Sequence, residues 1–123
     1  MNEKSINIII PMPPSINTAY AGYPKRHKSN EYKQYEKIVW LYLKKEKFWI
    51  EWDKWLNVIY DYYFPLYNKD WTKKIKDVWN YEKCLTDTLC KNIKWFEDHK
   101  ILNIKMSKNN SEKSFVKVTI YEN

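Results

Sequence analysis

This 123-residue chain has one Gly, two Cys and, among its 22 cationic side chains, a single Arg. Gly reaches positive φ without steric cost, and phosphate-cradling loops need several such positions. Neither a P-loop nor a dinucleotide-binding fingerprint can be written here. Cys84 and Cys90 stand six positions apart and lack the paired spacing of a zinc site. No apolar run approaches the roughly 18 residues of a membrane-spanning helix. The N-terminal stretch carries Glu3 and no cleavage pattern, so a cytoplasmic location is expected, with neither insertion nor secretion. Scarce Arg disfavours the bidentate forks that read base edges and favours recognition of backbone and shape.

Aromatic side chains are plentiful. Seven Trp, eleven Tyr and a hydrophobic share of 44% allow a packed core despite the high charge. At this length one domain, residues 1–123, is expected. The net charge of +7 makes a polyanion, and nucleic acid first of all, the partner to consider. The plain alternative is a Lys-rich, Asn-rich chain whose lysines are merely solvated.

Residues 6–10 form a β-branched run closed by Pro11, Pro13 and Pro14, the pattern of a first strand. A loop is expected from there to residue 28, ending in the basic knot Lys25-Arg26-His27-Lys28, either a solvated connection or a flap over a nucleic-acid backbone. Ser29 or Asn30 can cap a helix running to about residue 48. Its apolar face is read as Tyr32, Tyr35, Ile38, Val39, Leu41 and Tyr42, with lysines on the other side. Residues 52–64 change to period two, with Leu56, Val58, Tyr60, Tyr62 and Phe64 on one face of a strand that Pro65 ends. Trp49, Trp52 and Trp55 near its start suit a core, a dimer contact or a base-stacking surface. A polar, basic stretch over 68–76 supplies Lys69, Lys73, Lys74 and Lys76. Two further strands, over 101–106 and 115–121, read as a C-terminal β-hairpin. The class is mixed α/β: a small sheet with helices packed on it.

Between these lies the stretch on which function turns. A helix over 80–91 puts Tyr81, Cys84, Leu85, Thr88 and Leu89 on one buried face. Asn80, Lys83 and Asp87 form a second stripe, with Asp77 just ahead of the helix and Glu97-Asp98 just after it. Carboxylates gathered without matching cations repel one another, and a hard divalent ion such as Mg²⁺ removes that cost. Such an ion suits hydrolysis of a phosphodiester, and Lys83 would add a cation at the same phosphate. The plain alternative makes Asp77 an ordinary helix N-terminal carboxylate and Glu97-Asp98 an exposed turn.

The order of these segments resembles the RusA family of Holliday-junction resolvases, small phage and prophage endonucleases. Pro13-Pro14-Ser15-Ile16-Asn17 is similar to the family's PPSxN segment, and residues 29–35 resemble the start of its first helix. More specific is Asp77-Val78-Trp79-Asn80-Tyr81-Glu82-Lys83, with Asp87 and Leu89, beside the family's D-x-D-N-x-x-K-x-x-x-D-x-L. Glu97-Asp98-His99-Lys100-Ile101 is similar to its D-D-x-x-I.

The resemblance implies a mixed α/β homodimer that needs Mg²⁺, with Mn²⁺ as a substitute, and makes paired cuts in four-way DNA junctions during recombination and repair. It assigns Asp77, Asp98 and Lys83 to catalysis, Asp77, Asp98 and Glu97 to the metal, and Asn80 and Asp87 to support. Lys25, Arg26, Lys28, Lys73, Lys74 and Lys76 would hold the DNA backbone. The departure from the pattern is Trp79, which stands where the family has its second catalytic Asp and cannot coordinate a metal. Glu97, or Asp61 on the preceding strand, could take the missing ligand's place. Two readings follow: an active nuclease, or a catalytically silent relative that binds branched DNA or a protein partner.

Overall fold

Every second residue of one long strand is buried: Leu56, Val58, Tyr60, Tyr62 and Phe64 of β4 (Leu56–Phe64), as its period-two pattern requires. The computed structural model describes residues 5–22, 26–46, 48, 50–74 and 77–123. Around β4 stand β1 (Ser5–Ile10), β5 (Ile101–Asn110) and β6 (Phe115–Glu122), in the spatial order β1-β6-β4-β5. β6 pairs antiparallel with both β1 and β4, whereas β5 runs parallel to β4.

Both C-terminal strands are present, but the expected hairpin between them is not. β4 lies between β5 and β6, and residues 111–114 arch over its end. The Ser111 amide donates to the Phe64 carbonyl at 3.1 Å, just where Pro65 stops β4 and leaves room for the crossing. Strand periodicity reports which face is buried and carries no record of which strand sits beside which.

The parallel pairing of β4 and β5 demands a crossover, which is α3 (Trp79–Asn92). Its buried residues are Cys84, Leu85, Thr86, Thr88 and Leu89, with Tyr81 half-buried and its ring 5.9 Å from that of Tyr62. α2 (Asn30–Leu43) packs against α3 and starts where expected, the Ser29 hydroxyl accepting from the Tyr32 amide at 3.2 Å. Its buried face is Tyr32, Tyr35, Glu36, Val39 and Leu43. Ile38, Leu41 and Tyr42, read from the sequence as part of the core face, are exposed. The helix turns its Glu36 side inward because that carboxylate meets Lys28 and Lys91, each at 3.1 Å. Two lysine partners offset part of the cost of taking that carboxylate out of water, and its inward position rotates the apolar stripe.

The segment read as a loop before α2 is more ordered than that. α1 (Ile16–Ala19) follows Ser15, whose carbonyl takes the amides of Thr18 and Ala19, and β2 (Tyr20–Ala21) pairs with β3 (His27–Lys28). Trp52 and Trp55 are exposed, which removes the core reading for both, and Trp49 lies outside the described residues. Among the described residues no helix is long and apolar enough to cross a membrane.

Candidate active site

α3 shows two faces. Its inner face packs on β4, and one bond there is fully buried: the Tyr60 hydroxyl meets Thr86 Oγ1 at 2.8 Å. Thr86 in turn donates to Glu82 Oε1 at 2.8 Å, so the one hydroxyl proton of Thr86 is spent and Tyr60 must be the donor to it. Burial holds the Tyr60 phenol well above its ordinary value, the bond to Thr86 partly opposing this and the Glu82 charge adding to it. The result is a neutral donor that anchors Thr86, and through it Glu82.

The outer face borders a cleft of about 580 Å³. Trp79, Glu82, Lys83, Thr86 and Asp87 line one wall, at the i, i+3, i+4, i+7 and i+8 spacing of a single helix stripe. Asp98, Ile101, Leu102 and Ile104 form the other wall. Asp98 opens a short 3₁₀ turn, Asp98–Lys100, whose buried Lys100 donates to the carbonyls of Trp95 at 2.7 Å and Glu51 at 3.1 Å. That lysine clamps the start of β5 and so sets where Asp98 emerges.

Lys83 Nζ lies 3.2 Å from Asp87 Oδ2 and 5.9 Å from the centre of the Tyr20 ring. The bond to Asp87, with that carboxylate's charge, holds the Lys83 ammonium above its ordinary range, so it remains a cation at any working pH. An exposed i,i+4 pair of this kind contributes only about 0.3–0.5 kcal/mol. A phosphate oxygen can therefore draw Lys83 away from Asp87 cheaply. Burial pushes the Cys90 thiol of the same helix up to about 11, and the charges of Asp98 and Asp87 act in the same sense.

Of the residues expected at the site, Lys83, Asp87 and Asp98 line the cleft together. Asp77 does not belong to the lining; its carboxylate turns to its own helix and accepts from the Trp79 amide at 3.0 Å. Glu97 is half-buried and lies 3.1 Å from His99 Nε2, and Asn80 is half-buried outside the lining. Asp61 is on the sheet face that α3 does not cover, bonded to Ser107 Oγ at 2.6 Å, and is out of reach as a substitute ligand. Arg26 lies over Tyr20, Lys28 is held by Glu36, Lys73 is exposed and Lys74 half-buried. Lys25 and Lys76 lie outside the described residues. Glu82 and Thr86 went unnoticed in the sequence because the stripe was counted from Asn80; counted from Trp79, the same helical period finds both.

A divalent ion held by carboxylates needs several of them converging. Among the described residues no group of three or more His, Cys, Asp or Glu side chains is placed to share one. Asp77 is engaged with backbone, Asp87 with Lys83, and the indole of Trp79, 68% exposed, borders the cleft where the family pattern has an acid. As they stand, these side chains do not fit such an ion.

A mixed four-stranded sheet crossed by one helix, with a lysine and carboxylates along that helix's open side, defines a small α/β protein suited to handling phosphate esters. Comparison with family models makes the class specific. The model of Endodeoxyribonuclease RusA matches residues 11–121, and the chain belongs to the RusA family. The family's general activity is endonucleolytic resolution of Holliday junctions in DNA recombination; it binds branched DNA, and its nucleases are generally dependent on a divalent metal. Comparison with curated proteins finds no match to the chain.

Proposed function

We propose that this protein is a cytoplasmic RusA-family endonuclease, of phage or prophage type, that acts as a homodimer on four-way DNA junctions and receives the scissile strand in the α3 cleft. The family match carries this reading, since it runs through every element that builds the cleft. Hydrolysis adds water across a P–O bond: the water oxygen joins phosphorus, a base takes its proton, and the departing oxygen leaves as an alcohol. Asp98, exposed on the wall facing α3, is the base in this reading, and Lys83 offsets charge on the phosphoryl oxygens. Asp87 keeps Lys83 charged and oriented until the phosphate arrives. Lys73, Lys74 and Arg26, with Lys25, Lys28 and Lys76, hold the flanking backbone. Exposed Ile38, Leu41 and Tyr42 on α2 supply apolar surface for the second copy.

Mg²⁺, or Mn²⁺ in its place, enters through kinship. Asp77, Asp98 and Glu97 are the residues that would hold it, and they would have to draw together to do so. Trp79 favours a second reading, in which the protein binds branched DNA, or a protein partner, without cutting. A synthetic four-way junction incubated with either ion and wild type, Asp98→Asn or Trp79→Asp separates the two. Cutting by wild type that Asp98→Asn abolishes supports the nuclease. A wild type that binds the junction and leaves it whole, with cutting gained in Trp79→Asp, establishes the silent relative.

A further inference from the structure

The most exposed large apolar side chain among the described residues is Trp71, at 81%, outside the α3 cleft. Its backbone is left-handed, φ 67°, a conformation that favours Gly and strains a Trp. The strain is held in place by a dense set of bonds. The Trp71 amide donates to the Asn68 carbonyl at 2.9 Å, and the Asn68 amide to the Thr72 carbonyl at 2.7 Å. Asn68 Nδ2 donates to Thr72 Oγ1 at 2.9 Å, while the Thr72 amide and hydroxyl both donate to Asp70 Oδ1, at 3.0 and 2.6 Å. Tyr67 bridges to Lys73, and the Lys74 amide reaches the Leu66 carbonyl at 2.7 Å. Such a turn closes through its polar groups and needs no indole for packing. An unburied Trp in a position that suits Gly calls for a contact outside the folded chain.

The surroundings say which contact. The Tyr67 ring lies 6.2 Å from that of Trp71 at 52°, so two aromatic surfaces stand side by side. Together with Asn68, Lys69 and, across from them, Asn110, Ser111 and Glu112, they border a second cleft of about 410 Å³, within the size range of small-ligand sites. Lys69 and Lys73 are exposed on the same turn, and Lys74 follows half-buried. Aromatic faces bordered by cations are the means by which proteins hold single-stranded nucleic acid: bases stack on the rings while the cations track the phosphates. We infer that Trp71 and Tyr67 form a stacking platform for one unpaired nucleobase at the branch point of a DNA junction, with Lys69 and Lys73 on the flanking phosphates. This rests on the branched-DNA reading of the family and adds to it a site that recognises the opened base rather than the scissile bond.

The test uses the full-length protein with a four-way junction carrying 2-aminopurine at the branch point, and a fully paired duplex carrying the same probe. Trp71→Ala removes the indole, and Trp71→Gly removes it while suiting the left-handed backbone, so the turn survives in at least one variant. Wild type is expected to quench the junction probe, and both variants to lose the quench and bind the junction about tenfold more weakly, with duplex affinity unchanged. Trp71→Phe should retain much of both signals. Unchanged quenching and junction affinity in Trp71→Gly would overturn the platform alone, as would an equal loss on junction and duplex. A wild type that shifts neither DNA at low salt would overturn the branched-DNA reading together with the platform.

Discussion

Replacing Thr86 by Val changes one oxygen for one methyl at the buried joint between β4 and α3, and its cost follows from the bonds that meet there. Tyr60 is fully buried, and its hydroxyl has Thr86 Oγ1 at 2.8 Å as its partner. Valine keeps the shape, so no cavity term enters, but it strips the partner from a buried donor, which costs about 1–3 kcal/mol. The bond from Thr86 to Glu82 is lost as well; Glu82 is only half-buried and can turn to water, so this adds about 0.5 kcal/mol. A loss of about 2 kcal/mol is expected, which for a chain of this size lowers Tm by about 8 °C at about 4 °C per kcal/mol. Urea denaturation at neutral pH, with m unchanged, measures it. The companion double variant, Tyr60→Phe with Thr86→Val, leaves no orphaned hydroxyl on the strand and should recover about 1 kcal/mol of the loss seen in Thr86→Val. If Thr86→Val melts with wild type, or if the double variant loses the full sum of the two single changes, the buried chain from Tyr60 to Glu82 does not hold the helix as argued.

Two other outcomes follow from charges. Both cysteine thiols are pushed up by burial from 9.0, Cys90 to about 11 and Cys84 to about 12, and burial raises the Tyr35, Tyr60 and Tyr62 phenols too. Above the unfolded thiol value the unfolded chain gives up protons that the folded chain keeps, so stability is full below pH 9.0 and falls as pH climbs toward 12; urea midpoints that stay level across that range would refute it. Junction binding should weaken steeply with salt, and Lys73→Ala and Lys74→Ala should each reduce the slope of log affinity against log salt by about 0.9 if each lysine neutralises one phosphate. A filter-binding titration with slopes unchanged in both variants would remove those lysines from the backbone contact.

Kinship was legible because it rests on local spacing. The acids and the lysine around α3 stand at intervals that a linear reading can match, and the same reading identified Trp79 as the departure. Where each of them sits relative to the others was not legible. Asp77 and Asp98 flank a helix of fourteen residues, which rises about 21 Å, and nothing in their spacing says whether they share a pocket. The fold brings Asp98, Asp87 and Lys83 to one cleft, turns Asp77 back on its own helix, and adds Glu82 to the wall. Trp71 escaped notice for a similar reason: an aromatic in a polar stretch shows its exposure and its left-handed backbone only once the turn around it has closed.

Local pattern alone determined the elements. The alternation of Leu56 to Phe64, the Ser29 cap and the buried stripe of α3 are consequences of residue order within single segments, where side-chain period and capping act over a few residues. The tertiary structure decided what covers what. β4 came to lie between the two C-terminal strands, α2 turned Ile38, Leu41 and Tyr42 to the outside because Glu36 met Lys28 and Lys91, and Asp61 fell on the sheet face away from α3. A hydrophobic period states that one side of an element is to be buried. The partner that buries it is chosen by pairings between segments far apart in the chain, and those depend on the whole set of strands and charges at once.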